Sequence, residues 1–560
     1  MGPDETENTL VPFILESVDD EDEVLYTLAA SLGKLRDCVH KVQVLLEPLE
    51  RLCAVEETVV REAAVKSMGV IADKLDGDGC EHACAMVLRL AEADWFTGRC
   101  SACHLVPLVY PAVSKHDMDK AQKLCEAFAE LCGSSQTPMV HRQAAANLSN
   151  LAAVLPKGGA VSIVLPLFES MIHMQDESVR NIAVAACATL PQHLPESAGE
   201  AIENMKTVVK QCVEDQSWRI RNEMAKNFSA ICGAIPCPTP ASASAWKQDA
   251  LQLFINLLAD IEGEVKTNAA KQVAGMCAFY GGGDFARLCK DAFEQIADVN
   301  SAALHGPARM AFATSIVEMA QAGNFGSMLP LVNKMLDQEE EMMNQVMDGG
   351  QAANGAMPAP EVRLKLMAGM GAISSAAGVD QIEAIWSKAA KNLVQEKQWR
   401  VRRAVVEQIP EIAALATTSA TENTVYSVLR AGLFDEVREI RLAAAQVVPT
   451  LLEKKGLDDV KVHVVPILWD LHSAKDKDIP AYHQKGAFMA VVSLLGPAPE
   501  LLTELIPAVS KLILDDTNNT VLARRGASRR PRPCSWSTAF AWRSASRTCR
   551  RHSGTARTAT

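Results

Sequence analysis

The sequence predicts an all-α solenoid, a stack of antiparallel helix pairs, from two repeated phrases and a low aromatic content. In the first phrase a polar turn leads into Val-Arg or a close variant, followed by an Ala-rich apolar run; clear copies lie at 56–61, 175–180, 215–221 and 396–402. A sequence repeat predicts stacked units, because each unit buries its apolar face against the next. Aromatic residues make up only 5% of the chain, which favours close packing between helices.

The spacing of the copies indicates the kind of repeat. Most copies lie 36–45 residues apart, which is typical of the two-helix repeats of the HEAT or armadillo type. One step is longer, at 58 residues between Leu304 and Val362. Thirteen residues occupy the Val position of the phrase: Val24, Val60, Gly98, Val140, Val179, Ile220, Val265, Leu304, Val362, Val401, Ile440, Tyr482 and Val521.

The second phrase places a Pro between apolar residues, as at Pro166 and Pro466, and marks the start of the first helix of a repeat. The tenth repeat shows the expected anatomy, with Pro410 predicted to bend its second helix because Pro removes a backbone hydrogen bond. Its predicted apolar faces are Ile382, Ile385, Trp386, Ala389 and Leu393 in the first helix and Val401, Val405, Ile409, Ile412 and Ala416 in the second.

Two segments depart from the repeat within a predicted solenoid of residues 1–522. Residues 337–361 form an acidic, Met- and Gly-rich insertion, which we expect to be a mobile loop. Residues 523–560 contain ten Arg, no Lys, Asp or Glu, and no helical periodicity. This tail is explained either by a reading-frame error or by a genuine basic segment that binds anionic partners.

Charge and composition restrict the partners and the compartment. Without the tail, 45 basic residues face 68 acidic ones, a net charge of −23, which argues against nucleic acid as the main partner. No apolar run is long enough to span a membrane, and residues 1–8 lack the features of a signal peptide. We therefore expect a cytoplasmic location, with the nucleus as a second compartment. The 16 Cys, scattered at helical positions, are expected to be mostly buried free thiols.

Catalytic and cofactor motifs are scarce in this sequence. It contains no Walker-type phosphate loop, no Gly-x-Gly-x-x-Gly, no His-Glu-x-x-His and no Gly-x-Ser-x-Gly. The sequence contains one haem attachment motif, formed by Cys100, Cys103 and His104. The motif lies where a second helix is predicted to begin, so we interpret its two Cys as core residues. Cys80 and Cys84 lack the second pair of ligands that a zinc site needs. We predict no enzyme activity, no cofactor and no metal.

The turns carry the candidate binding residues. The Arg after Val is expected to pair with a carboxylate of its own or a neighbouring turn, as Arg180 could with Asp176, for about 0–1 kcal/mol if exposed. Trp218 and Trp399 lie in turns just before the Val position, each next to Arg. Trp and Arg are enriched at binding hot spots, so we predict contacts with a partner; alternatively, each Trp folds back over its own helix pair.

These phrases, in this order, resemble the scaffolding A subunits of protein phosphatase 2A, which are HEAT-repeat proteins. The resemblance covers residues from about 10 to 522, and the stretch 55–61 and the two Trp-Arg-x-Arg sites are its most specific parts. The matching stretches are residues 20–25, 55–61, 94–97, 101–103, 137–140, 217–221, 360–363 and 398–402.

The resemblance implies a function and a set of site residues. In that family a ridge of turns holds a regulatory B-type subunit on the early repeats and the phosphatase catalytic subunit on the last ones, giving a heterodimeric core and a heterotrimeric holoenzyme. The regulatory subunit is implied to contact Asp94, Trp95, Pro138, Met139, Arg142, Ser217, Trp218 and Arg219. The catalytic subunit is implied to contact Trp399, Arg400, Glu436, Val437, Arg438 and Glu439.

We therefore predict a non-catalytic scaffold of a protein phosphatase 2A-type Ser/Thr phosphatase, with neither nucleic acid nor membrane as a partner. An alternative is another HEAT-repeat binding protein, such as an importin-β-like nuclear transport receptor. A third hypothesis is an enzyme with an unrecognised site, but the lack of catalytic motifs argues against it.

Overall fold

The computed structural model describes residues 2–156, 158–282, 284–298, 306–347, 360–378, 397–416, 418–496 and 498–515, together with Gln381 and Trp386. In this part of the chain every regular element is a helix. The chain divides into two compact units, Met1–Tyr280 and Gly281–Thr560, which are described separately. The Arg-rich tail and its two alternative explanations lie outside the described residues.

The first unit is a succession of antiparallel helix pairs. Short 3₁₀ or π turns at Thr6–Leu10, Ser17–Asp19, Gly33–Asp37, Val42–Leu45, Ala160–Val164, Ala186–Ala188 and Leu190–His193 extend or follow several of the helices. The α-helices are Pro3–Glu5, Val11–Glu16, Asp22–Leu32, Leu46–Leu52, Thr58–Ala72, Gly77–Ala91, Phe96–His116, Met118–Leu131, Pro138–Val154, Leu165–Ile172, Glu177–Ala185, Gly199–Val213, Trp218–Ala234, Pro240–Leu258, Gly263–Lys271 and Val273–Tyr280.

The core of this unit forms where consecutive pairs stack. Val60, Val140, Val179 and Val265, four of the predicted Val positions, are at most 1% exposed. In these four repeats the second helix therefore buries the stripe that starts at the Val position, as the repeat predicts.

The second unit has the same organisation. Its described helices are Phe285–Leu288, Lys290–Ala297, Gly306–Gln321, Leu329–Met347, Pro360–Ala368, Met370–Ala377, Trp399–Glu407, Ile409–Leu415, Ser419–Leu433, Arg438–Lys455, Leu457–His472, Ala481–Leu494 and Pro499–Asp515.

The tenth repeat confirms the predicted effect of proline. Its second helix is interrupted at Gln408, so that Trp399–Glu407 and Ile409–Leu415 are separate helices and Pro410 lies in the first turn of the latter. The predicted apolar residues of these two helices are all buried, as is Trp386 of the first helix. The other four residues predicted for the face of that first helix lie outside the described residues.

The prediction of a loop over residues 337–361 is wrong in its first part. The helix Leu329–Met347 continues through the acidic Met-rich stretch, and residues 348–359 lie outside the described residues. The helix continues because Glu339 is fully buried and pairs with Arg309, and Met342 is only 5% exposed. Interactions with the preceding repeat thus override the polar composition.

The cysteine prediction is confirmed for the described residues. Fourteen Cys are free there, and all are buried except Cys38 and Cys237, which are half-buried. Among the described residues, no helix combines the length and the apolar character that crossing a membrane requires.

Candidate protein-binding ridges

In five helix pairs the turn between the first and second helix is closed by the Arg that follows the Val position. The Arg180 guanidinium donates to the carbonyl oxygens of Met174 and Gln175, at 3.0 and 3.2 Å. Such carbonyls at the end of a helix have no partner within the helix, and the forked guanidinium can reach two of them. We call this arrangement the turn clasp. Arg61, Arg99, Arg221 and Arg441 make the same pair of bonds to the carbonyls five and six residues earlier.

Other donors replace Arg at two turn clasps. In one turn His141 contacts the Gly133 carbonyl oxygen at 2.8 Å through Nε2. In another the Gln484 side chain, which is fully buried, donates to the carbonyl oxygens of Asp476 and Ile479. The bonds of Gln484 show that an uncharged donor can bind the turn carbonyls in place of Arg.

The predicted pairing with a carboxylate of a neighbouring turn is confirmed at two clasps. Arg221 binds Asp260 with both of its forked N–H groups, at 2.6 and 3.1 Å, and hydrogen bonding to Asp260 raises the pKa of Arg221. Arg402 binds Asp435 in the same way, at 2.8 and 3.1 Å. These bidentate, largely buried pairs join consecutive repeats and are stronger than exposed ion pairs.

The predicted pair between Arg180 and Asp176 is wrong. Asp176 caps its own helix by accepting from the backbone N–H groups of Ser178 and Val179, and the Ser178 hydroxyl lowers the pKa of Asp176. Its partner in an ion pair is Arg142 of the preceding repeat, at 4.0 Å. The Arg180 side chain points instead to the carbonyls of the turn clasp.

In the first unit, the predicted residues of the early turns are exposed. Asp94 is exposed and Trp95 is 74% exposed, in the turn that leads into the helix Phe96–His116. Pro138 and Met139 form the exposed first turn of the helix Pro138–Val154. Arg142 is half-buried and donates through Nε to the Ser178 hydroxyl at 2.8 Å, so it joins two neighbouring turns.

Ser217, Trp218 and Arg219 form one connected site with Glu177 of the preceding repeat. The Ser217 hydroxyl donates to Glu177, and Arg219 lies 3.3 Å from the same carboxylate and 5.1 Å from the Trp218 ring centroid. The bond from Ser217 and then the charge of Arg219 lower the pKa of Glu177. Glu177, Ser217 and Trp218 are among the residues that line an open cleft of about 530 Å³. Trp218 is half-buried in this cleft. Its exposure is intermediate between that expected of a partner contact and that expected of a side chain folded back over its own helix pair.

In the second unit, Trp399 and Arg400 start the helix Trp399–Glu407. Trp399 is 37% exposed, and the Arg400 guanidinium lies 5.8 Å from its ring centroid. One repeat later Glu436, Arg438 and Glu439 are exposed, as predicted for a turn that faces a partner. Val437 is half-buried, and its backbone N–H donates to Asp435 at 2.8 Å.

Three residues of these turns were not predicted from the sequence. Glu177 organises the site around Trp218, and its role depends on a contact across 40 residues of sequence. Ile261 is 86% exposed next to a turn. Tyr482, which the repeat places at the Val position, is 62% exposed in the first turn of its helix, so its placement on the buried stripe is wrong. A signal was available for Ile261, since an apolar residue between Asp260 and Glu262 stands out in a polar turn.

The haem-like motif has a structural explanation, as predicted. Cys100 and Cys103 are buried in the helix Phe96–His116, and burial raises the pKa of both thiols. The His104 ring contacts Gln143 at 2.7 Å and Asn147 at 3.0 Å, both on the next second helix. The motif thus contributes to the packing between repeats.

A clasp that is buried should contribute strongly to stability. Arg441 is only 7% exposed, and burial lowers the pKa of its guanidinium. The guanidinium donates to two carbonyl oxygens, each at 2.7 Å. Replacing Arg441 with Met should lower the free energy of unfolding, measured in urea, by about 2 kcal/mol, because two carbonyls lose a charged donor. Arg438→Met, an exposed change in the same turn, is the control and should cost about 0.5 kcal/mol or less. Equal effects of the two changes would contradict the clasp.

Comparison with known proteins supports the resemblance described above. Residues of this chain are 36% identical over 239 positions to the regulatory A subunit of protein phosphatase PP2A from Schizosaccharomyces pombe, covering 42% of this chain and 40% of that protein. A probable PP2A regulatory subunit of Caenorhabditis elegans is 40% identical over 33% of this chain and 31% of its own length. The beta isoform of the rat PP2A 65 kDa regulatory A subunit is 43% identical over 28% and 26%.

Part of this chain is similar to PP2A regulatory A subunits. The predicted resemblance is thereby confirmed, over matches that span at most 40% of the length of these three relatives. The names of these three relatives describe regulatory subunits. A further relative, from Dictyostelium discoideum, is 40% identical over 30% of this chain and 29% of its own length and is named a protein phosphatase 2A scaffold subunit. No family model matches the chain.

Solved structures confirm the fold. A structure of Kap95p with RanGDP superimposes with a TM-score of 0.54 at 11% identity, covering 96% of this chain and 64% of that chain. The karyopherin Kap121p bound to the C-terminus of the phosphatase Cdc14p gives a TM-score of 0.56 at 14% identity, covering 97% and 54%. The predicted all-α HEAT-repeat solenoid is thus confirmed, whereas identities this low carry no information about function. The likeness to karyopherins does not favour the transport-receptor alternative.

Proposed function

We propose that this chain is a non-catalytic scaffold for a PP2A-type Ser/Thr phosphatase. The observation that carries the proposal is the pair of Trp-Arg turns: half-buried Trp218 beside exposed Arg219 in the first unit, and exposed Trp399 beside Arg400 in the second. Trp and Arg are the side chains most enriched at binding hot spots. The names of the relatives add that proteins similar to part of this chain are regulatory or scaffold subunits of PP2A.

In this proposal the two units bind different subunits. The turns of the first unit that carry Trp95, Met139 and Trp218 bind a regulatory B-type subunit. The turns of the second unit that carry Trp399 and the stretch 436–439 bind the catalytic subunit. A turn clasp holds each of the two turns 215–219 and 436–439. The exposed side chains of these turns are therefore ordered before the partner binds. Such preorganisation reduces the entropy lost on binding.

The scaffold would act through effective concentration. Two proteins bound to one chain meet at an effective concentration in the millimolar range for short tethers, far above their free concentration. No catalytic group on the chain is needed for this role. The proposal includes a cytoplasmic and nuclear location, where buried free thiols such as those of the first unit stay reduced.

The decisive experiment measures the affinity of the full chain for a purified PP2A catalytic subunit. Trp399→Ala should weaken binding by about 2 kcal/mol or more, roughly thirtyfold, measured by biolayer interferometry. Trp469→Ala is the matched control, because Trp469 is 39% exposed but lies within the helix Leu457–His472, outside the turns.

Three results would separate the possibilities. Wild-type chain that fails to bind the catalytic subunit would refute the proposal as a whole. Equal effects of the Trp399 and Trp469 changes would refute the assignment of the turn. Trp218→Ala should leave affinity for the catalytic subunit unchanged and weaken binding of a B-type subunit.

A further inference from the structure

A groove on the first unit lies between two second helices and is independent of the proposed binding turns. It is an open cleft of about 520 Å³ between the helix Thr58–Ala72 on one side and Asp22–Leu32 with the 3₁₀ turn Gly33–Asp37 on the other. Three large apolar side chains around it are unusually exposed: Tyr26 at 46%, Val59 at 54% and Val70 at 42%. A cluster of exposed apolar side chains on a folded surface indicates a binding site.

Small residues form the floor of the groove. Ala30 and Gly33 face Ala63 and Ser67 from the opposite helix. A Cβ atom on Gly33 would lie 3.2 Å from the Ser67 Cα atom, and the Ser67 hydroxyl donates to the Ala29 carbonyl at 2.5 Å. The two helices therefore approach closely, and the short side chains leave room above them for a third helix.

The groove has a defined length. Its lining residues recur every three or four positions on both sides, so each wall is one helical face, from Val59 to Val70 on the longer helix. At the far end the Arg36 guanidinium donates to the Val70 carbonyl at 2.8 Å and connects the two walls. The eleven steps from Val59 to Val70 rise by about 16 Å, so the groove accommodates roughly three helical turns.

The walls carry an excess of unpaired positive charge. Lys34 and Lys66 are exposed on opposite walls, and neither pairs with a carboxylate within the described part of the chain. Asp37 is already neutralised by Lys74 at 3.3 Å and by Arg36. Glu62, one turn before Lys66, is the carboxylate that offsets part of this charge. An occupant with acidic groups beside its apolar face would complement both lysines.

We propose that this groove binds an acidic amphipathic helix of about three turns from a partner protein. A helix suits it better than an extended segment, because the backbone groups of both walls are bonded within their own helices and offer no edge for a strand. The apolar face of the helix packs on Tyr26, Val59 and Val70 above the small-residue floor. Its flanking carboxylates contact Lys34 on one wall and Lys66 on the other.

The test uses defined peptide probes and the full chain. One probe is a fluorescein-labelled, helix-stapled peptide of about 14 residues, with Leu at i, i+3, i+7 and i+10 and Glu on the flanks; in its partner probe Lys replaces Glu. Fluorescence anisotropy should show the Glu peptide binding at least about tenfold more tightly than the Lys peptide. In the double variant Lys34→Glu/Lys66→Glu this preference should reverse.

Controls separate the groove from general electrostatics and from misfolding. Lys115→Glu changes an exposed lysine elsewhere on the same unit and should leave both affinities unchanged. Ala30 is exposed at the floor of the groove, so Ala30→Arg places a large side chain in the space that the peptide would occupy. This change should weaken binding of the Glu peptide by about tenfold without altering the circular dichroism melting curve. Equal affinity for the two peptides, no saturable binding, or no reversal in the double variant would overturn the proposal. Self-association that the double variant abolishes would also overturn it, since a second copy would then occupy the groove.

Discussion

Replacing Arg309 with Met should lower the free energy of unfolding by about 3–5 kcal/mol, because it breaks the ion pair of a fully buried carboxylate by removing one partner. Arg309 is 4% exposed, its partner Glu339 is fully buried, and Arg309 also donates to the Ala297 carbonyl at 3.2 Å. Glu339→Gln should be nearly as costly. Urea unfolding of the single variants measures both losses.

The double variant Arg309→Met/Glu339→Leu decides whether the loss comes from the pair. Replacing both charges by apolar side chains removes the buried carboxylate together with its cation, so most of the lost stability should return. The exposed pair Lys290–Glu294 provides the control, and Glu294→Gln there should cost about 0.5 kcal/mol or less. Additive losses in the Arg309/Glu339 double variant would show that the two residues act separately and would contradict the assignment.

This pair also shows why the predicted loop was wrong. The stretch 337–347 is acidic and Met-rich, and its local composition favours solvent exposure. Its helical state depends on Arg309, 30 residues earlier, which no local pattern identifies as the partner. The helix pairs themselves could be predicted, since apolar spacing and Pro410 act within a few residues.

The exposed turns were predictable for the same local reason, but their internal structure was not. Polar residues ahead of the Val position indicated exposed turns, and Trp95 and Trp399 are exposed there. Each Arg side chain could bind either a nearby carboxylate or two carbonyls at the end of a helix, and the local sequence does not distinguish these partners. At Arg180 the guanidinium binds the two carbonyls. The register also slipped by one residue at Val24, which is 38% exposed while Leu25 is buried, because hydrophobicity alone cannot separate adjacent apolar positions.

Raising the pH above 9 should destabilise the first unit steeply, because the core of this unit buries many thiols. Burial raises the pKa of Cys125 to about 11 and those of Cys53, Cys132 and Cys212 to about 12, against an ordinary value of 9.0. Only the unfolded chain releases these protons between the two values, so stability is complete below pH 9 and is lost as pH rises. Each thiol contributes at most roughly 1.4 kcal/mol per pH unit, and the four together at most roughly 6 kcal/mol per pH unit between pH 9 and 11.

Urea unfolding under reducing conditions, repeated at several values between pH 8 and about 11, measures this slope. Tyr and Lys side chains titrate in the same range, so the contribution of one thiol has to be isolated by substitution. Cys132→Ala should make the slope shallower by roughly 1.4 kcal/mol per pH unit, whatever it costs at neutral pH. Ile71→Val removes a buried methyl group without a titratable proton and should shift the whole profile by about 1 kcal/mol while leaving its slope unchanged. A slope that Cys132→Ala leaves unaltered would mean that the buried thiols are not the groups that couple folding to pH.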